Sequence, residues 1–158
     1  MRFRLLILPG LFILLLLFGL KQYYSYRADG LNALERRFSQ KIQLQVGEVN
    51  IAAYLADAQS ERALGLSGIA TLSEKTGVLF VFPSASRYSF WMKDMLIPLD
   101  FVWIANGVIV DLTVNVQPES WQPPNSFTAA TEFDSVIELP AGTIDKYRLT
   151  KGLTVSQL

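Results

Sequence analysis

The chain has no cysteine and no histidine among its 158 residues. Without thiols there is no disulfide, no thiolate nucleophile and no sulfur ligand for zinc. Without imidazole there is no Ser-His-Asp triad and none of the usual nitrogen ligation of zinc or haem. An excess of charge of either sign is missing as well: 14 basic residues face 14 acidic ones, for a formal net charge of zero. That balance leaves no broad electrostatic footprint for nucleic acid or an acidic polymer. No nucleic-acid partner, no cofactor and no metal centre are therefore expected, and any chemistry has to run on carboxylates, Lys, Arg, Tyr, Ser or Thr. Internal repeats and low-complexity tracts are absent too, and the length suits one domain with a short accessory segment.

What is present first is an uncharged run from Leu5 to Leu20, rich in Leu, Ile and Phe and flanked by Arg2, Arg4 and Lys21. As a helix its sixteen positions extend roughly 24 Å, against about 30 Å of bilayer hydrocarbon. Snorkelling by Arg4 and Lys21, with Tyr23, Tyr24 and Tyr26 at the interface, closes the gap. A cleaved signal peptide competes with a retained anchor, but cleavage wants small residues at the first and third positions before the cut, and Ala28 is preceded at that spacing by Tyr26. The reading is a signal anchor or transmembrane segment over residues 1–27, with the membrane as partner through residues 5–20. Leu31, Leu34 and Phe38 then recur at helical spacing, which predicts a juxtamembrane helix or linker over residues 28–41. Basic residues on both sides of the run nearly cancel, so orientation rests on the order of anchor, then compact domain. That order places residues 42–158 on the extracytoplasmic side of the inner membrane.

Within residues 42–158 the pattern is mainly β. Ile42, Leu44 and Val46 alternate with polar residues, and Gly47-Glu48 separates them from Val49, Ile51 and Ala53, as in a two-residue hairpin. Ala58 to Leu66 predicts a short helix ending near Gly65 or Gly68, and Val78 to Phe82 a buried strand. Asn106-Gly107 suits the positive backbone angles of a type I′ turn. Counting outward from it pairs Ala105 with Val108, Trp103 with Val110, Phe101 with Leu112 and Leu99 with Val114. The same register puts Asp100 and Asp111 together on the opposite face, about 7 to 8 Å apart between Cα atoms. Gln117 to Asp134, with Pro118, Pro123, Pro124 and Trp121, reads as a long loop. Ser135 to Leu139 returns to strand, Thr143 to Leu149 suggests a helical turn or two, and Gly152 to Val155 closes the domain. The expected architecture is a compact β-sandwich or barrel-like domain with two short helices behind an N-terminal transmembrane helix.

Five stretches occur in an order that resembles a known family: Arg62-Ala63-Leu64-Gly65-Leu66, Gly77-Val78-Leu79-Phe80-Val81-Phe82, Phe90-Trp91-Met92-Lys93, Ile97-Pro98-Leu99-Asp100 and Glu138-Leu139-Pro140-Ala141-Gly142. The chain looks like a member of the prokaryotic family called domain of unknown function 192, over roughly residues 49 to 156. The resemblance implies a compact, mainly β domain often preceded by an export signal, and no activity. The chain departs from that pattern at Asp94, where similar sequences more often carry Asn, and at Ser67, where a Met usually follows Gly-Leu. Its loop after Pro118 also lacks the cysteine of many relatives.

The densest polar and aromatic cluster runs from Ser89 to Asp100. An extended Ser89 to Lys93 puts Ser89, Trp91 and Lys93 on one side and Phe90 and Met92 on the other. An indole beside an ammonium and carboxylates could hold a sugar ring or a small anion. The competing reading packs Trp91 into the core and pairs Lys93 with Asp94 at the surface. Asp100 and Asp111 on one face could act as acid and base or hold a hard cation. Arg62 on the predicted helix could clamp a carboxylate or phosphate, or brace the fold by pairing with Asp94 or Asp100. Glu138, between Ile137 and Leu139 in strand alternation, is expected to face solvent. The ligand-binding candidates are thus Arg62, Trp91, Lys93, Asp94, Asp100 and Asp111. The leading expectation is a non-enzymatic module for a glycan or other small ligand. The alternatives are a carboxylate-dependent hydrolase acting on an envelope substrate and a protein-interaction scaffold using the loop around Trp121.

Overall fold

The computed structural model describes residues 9–119 and 125–158. Trp121, and residues 5–8 of the apolar run, lie outside the described residues. The elements in chain order are α1 (Pro9–Arg37), β1 (Lys41–Val46), β2 (Val49–Ala56), α2 (Gln59–Leu64), β3 (Thr76–Ser86), β4 (Leu99–Ala105), β5 (Val108–Val116), β6 (Phe133–Pro140), α3 (Thr143–Tyr147) and β7 (Val155–Gln157). The domain is mainly β. Its seven described strands form one sheet in the order β5-β4-β6-β3-β2-β1-β7, not the two layers of a sandwich. The sheet curls into a half-barrel. At one end its two edges meet: Val108 bridges Thr154, the Val155 N–H donates to the Gly107 carbonyl at 2.8 Å, and the Ile109 N–H donates to the Leu153 carbonyl at 2.9 Å. Closing there satisfies main-chain groups that an open edge would leave unpaired.

The turns fall where their residues demand them. Gly47, Asn106 and Gly107 all have positive φ, at 57°, 52° and 71°, and Val46 faces Val49 across the first hairpin as Ala105 faces Val108 across the other. Beyond Asn106-Gly107, however, the expected register fails. Irregularities between Trp103 and Ile104 and between Leu99 and Phe101 shift the pairing, so Trp103 faces Asp111, Phe101 faces Thr113 and Leu99 faces Val116. One device behind the second bulge is Asn115, held at φ 51° opposite Asp100.

All neighbouring strands are antiparallel except β2 and β3, which are parallel. A parallel pair needs a crossover of a dozen or more residues. Here residues 57–75, carrying α2, supply it. The crossover lies on one sheet face, where Leu66 and Ile69 join Phe80, Phe90, Phe101, Trp103 and Phe133 in the larger core. The aromatic rings there pack both edge to face, as Phe80 and Phe90 do at 5.2 Å between centroids, and stacked, as Phe101 and Trp103 do at 5.5 Å. A second core, with Leu44, Leu79, Val102, Ile104, Ile137 and Ile144, fills the other face. Ile104 of β4 and Leu44 of β1 border the same small cavity there. Strands that far apart in the sheet order share a cavity only across the inside of the curl, so this second core is the inner one.

The C-terminal turn of α1 docks on the outer core through the buried Leu34 and Phe38, and Arg37 donates to the Gly65 carbonyl at 2.6 Å. The predicted juxtamembrane helix is therefore the end of one continuous helix. Further toward its start, Leu14 and Phe18 are 67% and 66% exposed. Among the described residues no helix is long and apolar enough to cross a membrane.

Candidate functional site

A cavity of about 450 Å³ opens on the outer face, between the crossover and the segment that follows β3. Arg62, Ala63 and Leu64 of α2 form one wall, and the helix stops at Gly65, whose N–H caps Glu61 at 2.9 Å. The capped start is set by Glu61, whose carboxylate accepts the N–H groups of Asp57 and Ala58 at 3.3 and 3.1 Å. Trp91, Lys93 and Asp94 form the opposite wall. They are held there because Phe90 and Phe127 exchange two main-chain hydrogen bonds of 2.8 Å, while Phe90 and Met92 point into the core. The expected alternation holds: Ser89, Trp91 and Lys93 face outward, and Trp91 is 47% exposed instead of packing into the core. The two walls are tied by the Gly68 N–H, which donates to the Asp94 carbonyl at 2.9 Å. Asp94 sits at φ 58°, a left-handed conformation that Asp and Asn tolerate better than most residues.

Arg62 is committed to the fold. Its guanidinium donates to the main-chain carbonyl of Val81 at 2.9 Å and to that of Asp57, and lies 5.4 Å from the centroid of Phe82. The expected pairing with Asp94 or Asp100 does not occur, because the Asp57 carbonyl at the start of the crossover and the Val81 carbonyl in the middle of β3 take the guanidinium. It nonetheless borders the cavity, so the structure brings Arg62, Trp91, Lys93 and Asp94 around one opening.

Asp100 and Asp111 are not part of this site. Asp100 faces Leu139 across β6 and so lies on the inner face, fully buried. Its two oxygens accept the N–H groups of Asn115 at 2.8 Å and Ile144 at 2.9 Å. It fastens the β5 bulge to the start of α3. Asp111 faces Trp103 and therefore lies on the outer side. There it pairs with Lys151 at 2.5 Å and accepts the N–H groups of Ala130 and Leu112 at 3.0 Å each. Desolvation pushes the Asp111 carboxyl up, but Lys151 and the two main-chain donors outweigh it and hold it below the usual range. The expected carboxylate pair is thus split between the two faces by the bulges, so the two groups cannot act together as acid and base or hold one cation.

The residue the sequence reading missed is Glu138. Instead of facing solvent it is 4% exposed, because the outer face of β6 lies under the crossover. It faces Phe101 on one neighbouring strand and Val78 on the other, and lines the floor of the cavity. Its Oε2 has no hydrogen-bond partner. Burial without a counter-charge pushes the carboxyl up to about 8, so at neutral pH it is predominantly the neutral acid. Gly77 is what lets β3 approach so closely: a Cβ there would stand 2.5 Å from the Glu138 carbonyl oxygen.

Residues 42–157 match the family model of DUF192, described as an uncharacterized ACR. The chain belongs to this family. Every residue that lines the cavity lies within the DUF192 match, whereas α1 precedes it. Among solved structures, a protein from Sinorhizobium meliloti 1021 described as a "putative transcription regulator" is 26% identical, with a TM-score of 0.67 over 74% of this chain and 92% of that one. A protein of unknown function from Novosphingobium aromaticivorans DSM 12444 shares the fold at 21% identity, with a TM-score of 0.64 over 73% of this chain and 83% of that one. A comparison with curated proteins yields no match.

Proposed function

We propose that this DUF192 chain is a non-enzymatic binding module that holds a small ligand, a sugar ring of an envelope glycan, in the cavity beside Trp91. The observation that carries this reading is an indole left 47% exposed at the wall of a cavity of about 450 Å³. A large aromatic exposed beside convergent polar groups suits a ring with one apolar face and a rim of hydroxyls. Trp91 offers the stacking surface, and Lys93 and Asp94 offer a donor and an acceptor for the rim. Calorimetry of the full-length chain in detergent against envelope oligosaccharides tests it. Trp91→Ala is expected to weaken binding at least ten-fold, about 1.4 kcal/mol, with an unchanged melting temperature. If the wild-type chain binds none of them, the reading fails.

The module works, in this proposal, from the outer side of the inner membrane. Support comes from Ile13 to Phe18, all more than half exposed along a helix whose far end is docked on the domain. Extraction of membranes with carbonate should leave the chain in the pellet, and protease added outside the cytoplasm should reach residues 42–158. Release of the chain by carbonate would end the anchoring part alone. The net charge of zero gives no broad attraction to a phosphate backbone of the kind that the Sinorhizobium relative's transcription-regulator description implies.

A further inference from the structure

Glu138 is poor design for a fold. A carboxyl buried with an oxygen that meets no donor loses its hydration and regains nothing, and an apolar side chain of similar volume would be more stable at that point. Packing alone therefore does not account for it. Its surroundings show what would complete it. Phe80, Phe90, Met95 and Leu66 line the cavity near the floor, and the carboxyl is the polar group that β6 contributes there. Nothing in that floor supplies a charge opposite to a charged ligand group. Arg62 and Lys93 border the same cavity together with Asp94 and Tyr88, so two fixed cations outnumber the one wall carboxylate and disfavour a cation, while an anion would meet an apolar floor. The group that reaches Glu138 is uncharged.

We propose that the Glu138 carboxyl donates a hydrogen bond from the floor of this cavity to an oxygen of a neutral sugar that can only accept, a ring, glycosidic or acetyl carbonyl oxygen. The inference rests on the binding reading above and names its ligand class and its floor contact. The acid form is the donor; once ionised, the carboxylate can only accept. Because burial holds the carboxyl at about 8, binding is at full strength at neutral pH and declines under alkaline conditions. The sign is opposite for a ligand bearing an ammonium group, which pairs with the ionised carboxylate while the Glu138 proton goes to solvent, so that its affinity rises with pH until the ammonium itself loses its proton.

The test is calorimetry of the full-length chain in detergent between pH 6 and pH 10. The probes are N-acetylglucosamine oligomers and maltooligosaccharides as neutral sugars, glucosamine as the cation and glucuronic acid as the anion. Wild type is expected to bind a neutral sugar with constant affinity up to about pH 8 and to lose about ten-fold per pH unit above it. Glu138→Gln keeps a donor and should bind with a flat pH profile. Glu138→Leu should lose binding at least ten-fold while its melting temperature rises, a combination that a merely structural residue would not give. A flat wild-type profile, tighter binding above pH 8, preference for glucosamine or glucuronic acid, or undiminished binding by Glu138→Leu overturns the proposal and leaves the cavity reading standing. No binding of any probe by wild type ends both.

Discussion

The two faces of the sheet each bury one carboxyl, and they treat it in opposite ways. On the inner face Asp100 has two main-chain donors, at 2.8 and 2.9 Å, and locks the β5 bulge to α3. On the outer face Glu138, equally removed from water, leaves an oxygen unpartnered at the floor of a cavity. A carboxylate held by N–H groups is part of a scaffold. One without them is a cost that the rest of the fold has to carry. The difference separates a structural acid from a candidate functional one more sharply than burial, which is nearly the same for both.

The harshest way to break the contrast is to spoil the framework that both acids share. Gly77→Ala places a Cβ 2.5 Å from the Glu138 carbonyl oxygen and 2.8 Å from a Leu139 methyl. Main chain cannot swing aside as a flexible side chain can, so β3 must part from β6. A loss of about 4 kcal/mol is expected, at the upper end for overpacking, to be read from urea unfolding of the detergent-solubilised chain. Next comes the inner acid itself. Asp100→Ala leaves the Asn115 and Ile144 N–H groups without acceptors and should cost about 3 kcal/mol. Unfolding midpoints unchanged by this substitution would mean that the two hydrogen bonds do not hold the bulge.

The outer acid should answer with the opposite sign. Glu138→Leu is expected to stabilise the fold by about 1 to 2 kcal/mol at pH 6. Linkage sharpens the test. A carboxyl raised from 4.5 to about 8 keeps its proton in the native state while the unfolded chain gives it up. Its contribution is therefore full below pH 4.5 and is lost as pH rises through about 8. Wild type should lose a few kcal/mol across that window relative to Glu138→Gln, which has no proton to give up. Stability curves of the two proteins that run parallel from pH 4.5 to 8 would contradict the burial of an unpaired acid.

Why Asp100 and Asp111 looked like the pair to watch, and Glu138 did not, lies in what a strand pattern carries. The Asn106-Gly107 turn was readable because its backbone angles restrict the residues that form it. The two bulges beyond it were not, since no residue type marks Trp103 and Ile104 as a point of slippage. Alternation around Glu138 suggested a wet face, but alternation tells inside from outside only when one face of the sheet is open to water. The strands carrying the apolar runs Val78 to Phe82 and Phe101 to Ala105 are covered on both sides, but that β6 lies between them, which buries Glu138, is a matter of sheet order that no local pattern marks. The Trp91 cluster was readable for a simpler reason: Phe90 and Met92 are apolar anchors at period two, and they fix which way the residues between them face.

The smallest effect calibrates the other two acids. Asp111 has both kinds of support, the Lys151 ion pair at 2.5 Å and the N–H groups of Ala130 and Leu112. The Lys151 side chain is 60% exposed, so solvent and salt screen the pair, and Lys151→Ala should cost at most about 0.5 kcal/mol. Because the Asp111 carboxyl is held below its usual value of 3.8, its contribution is present above that pH and is lost as pH falls through the lower native value. Removing Lys151 should shrink this acid-side loss without abolishing it, since the main-chain donors remain. Asp111→Ala, which orphans both donors, should cost more than Lys151→Ala, and 0.5 M salt should reduce the effect of the lysine change but leave most of the aspartate change. If salt instead removes most of the Asp111→Ala effect, ion pairing outweighs main-chain hydrogen bonding in this domain. Asp100 would then lose its standing as the model of a well-supported buried acid against which Glu138 is judged.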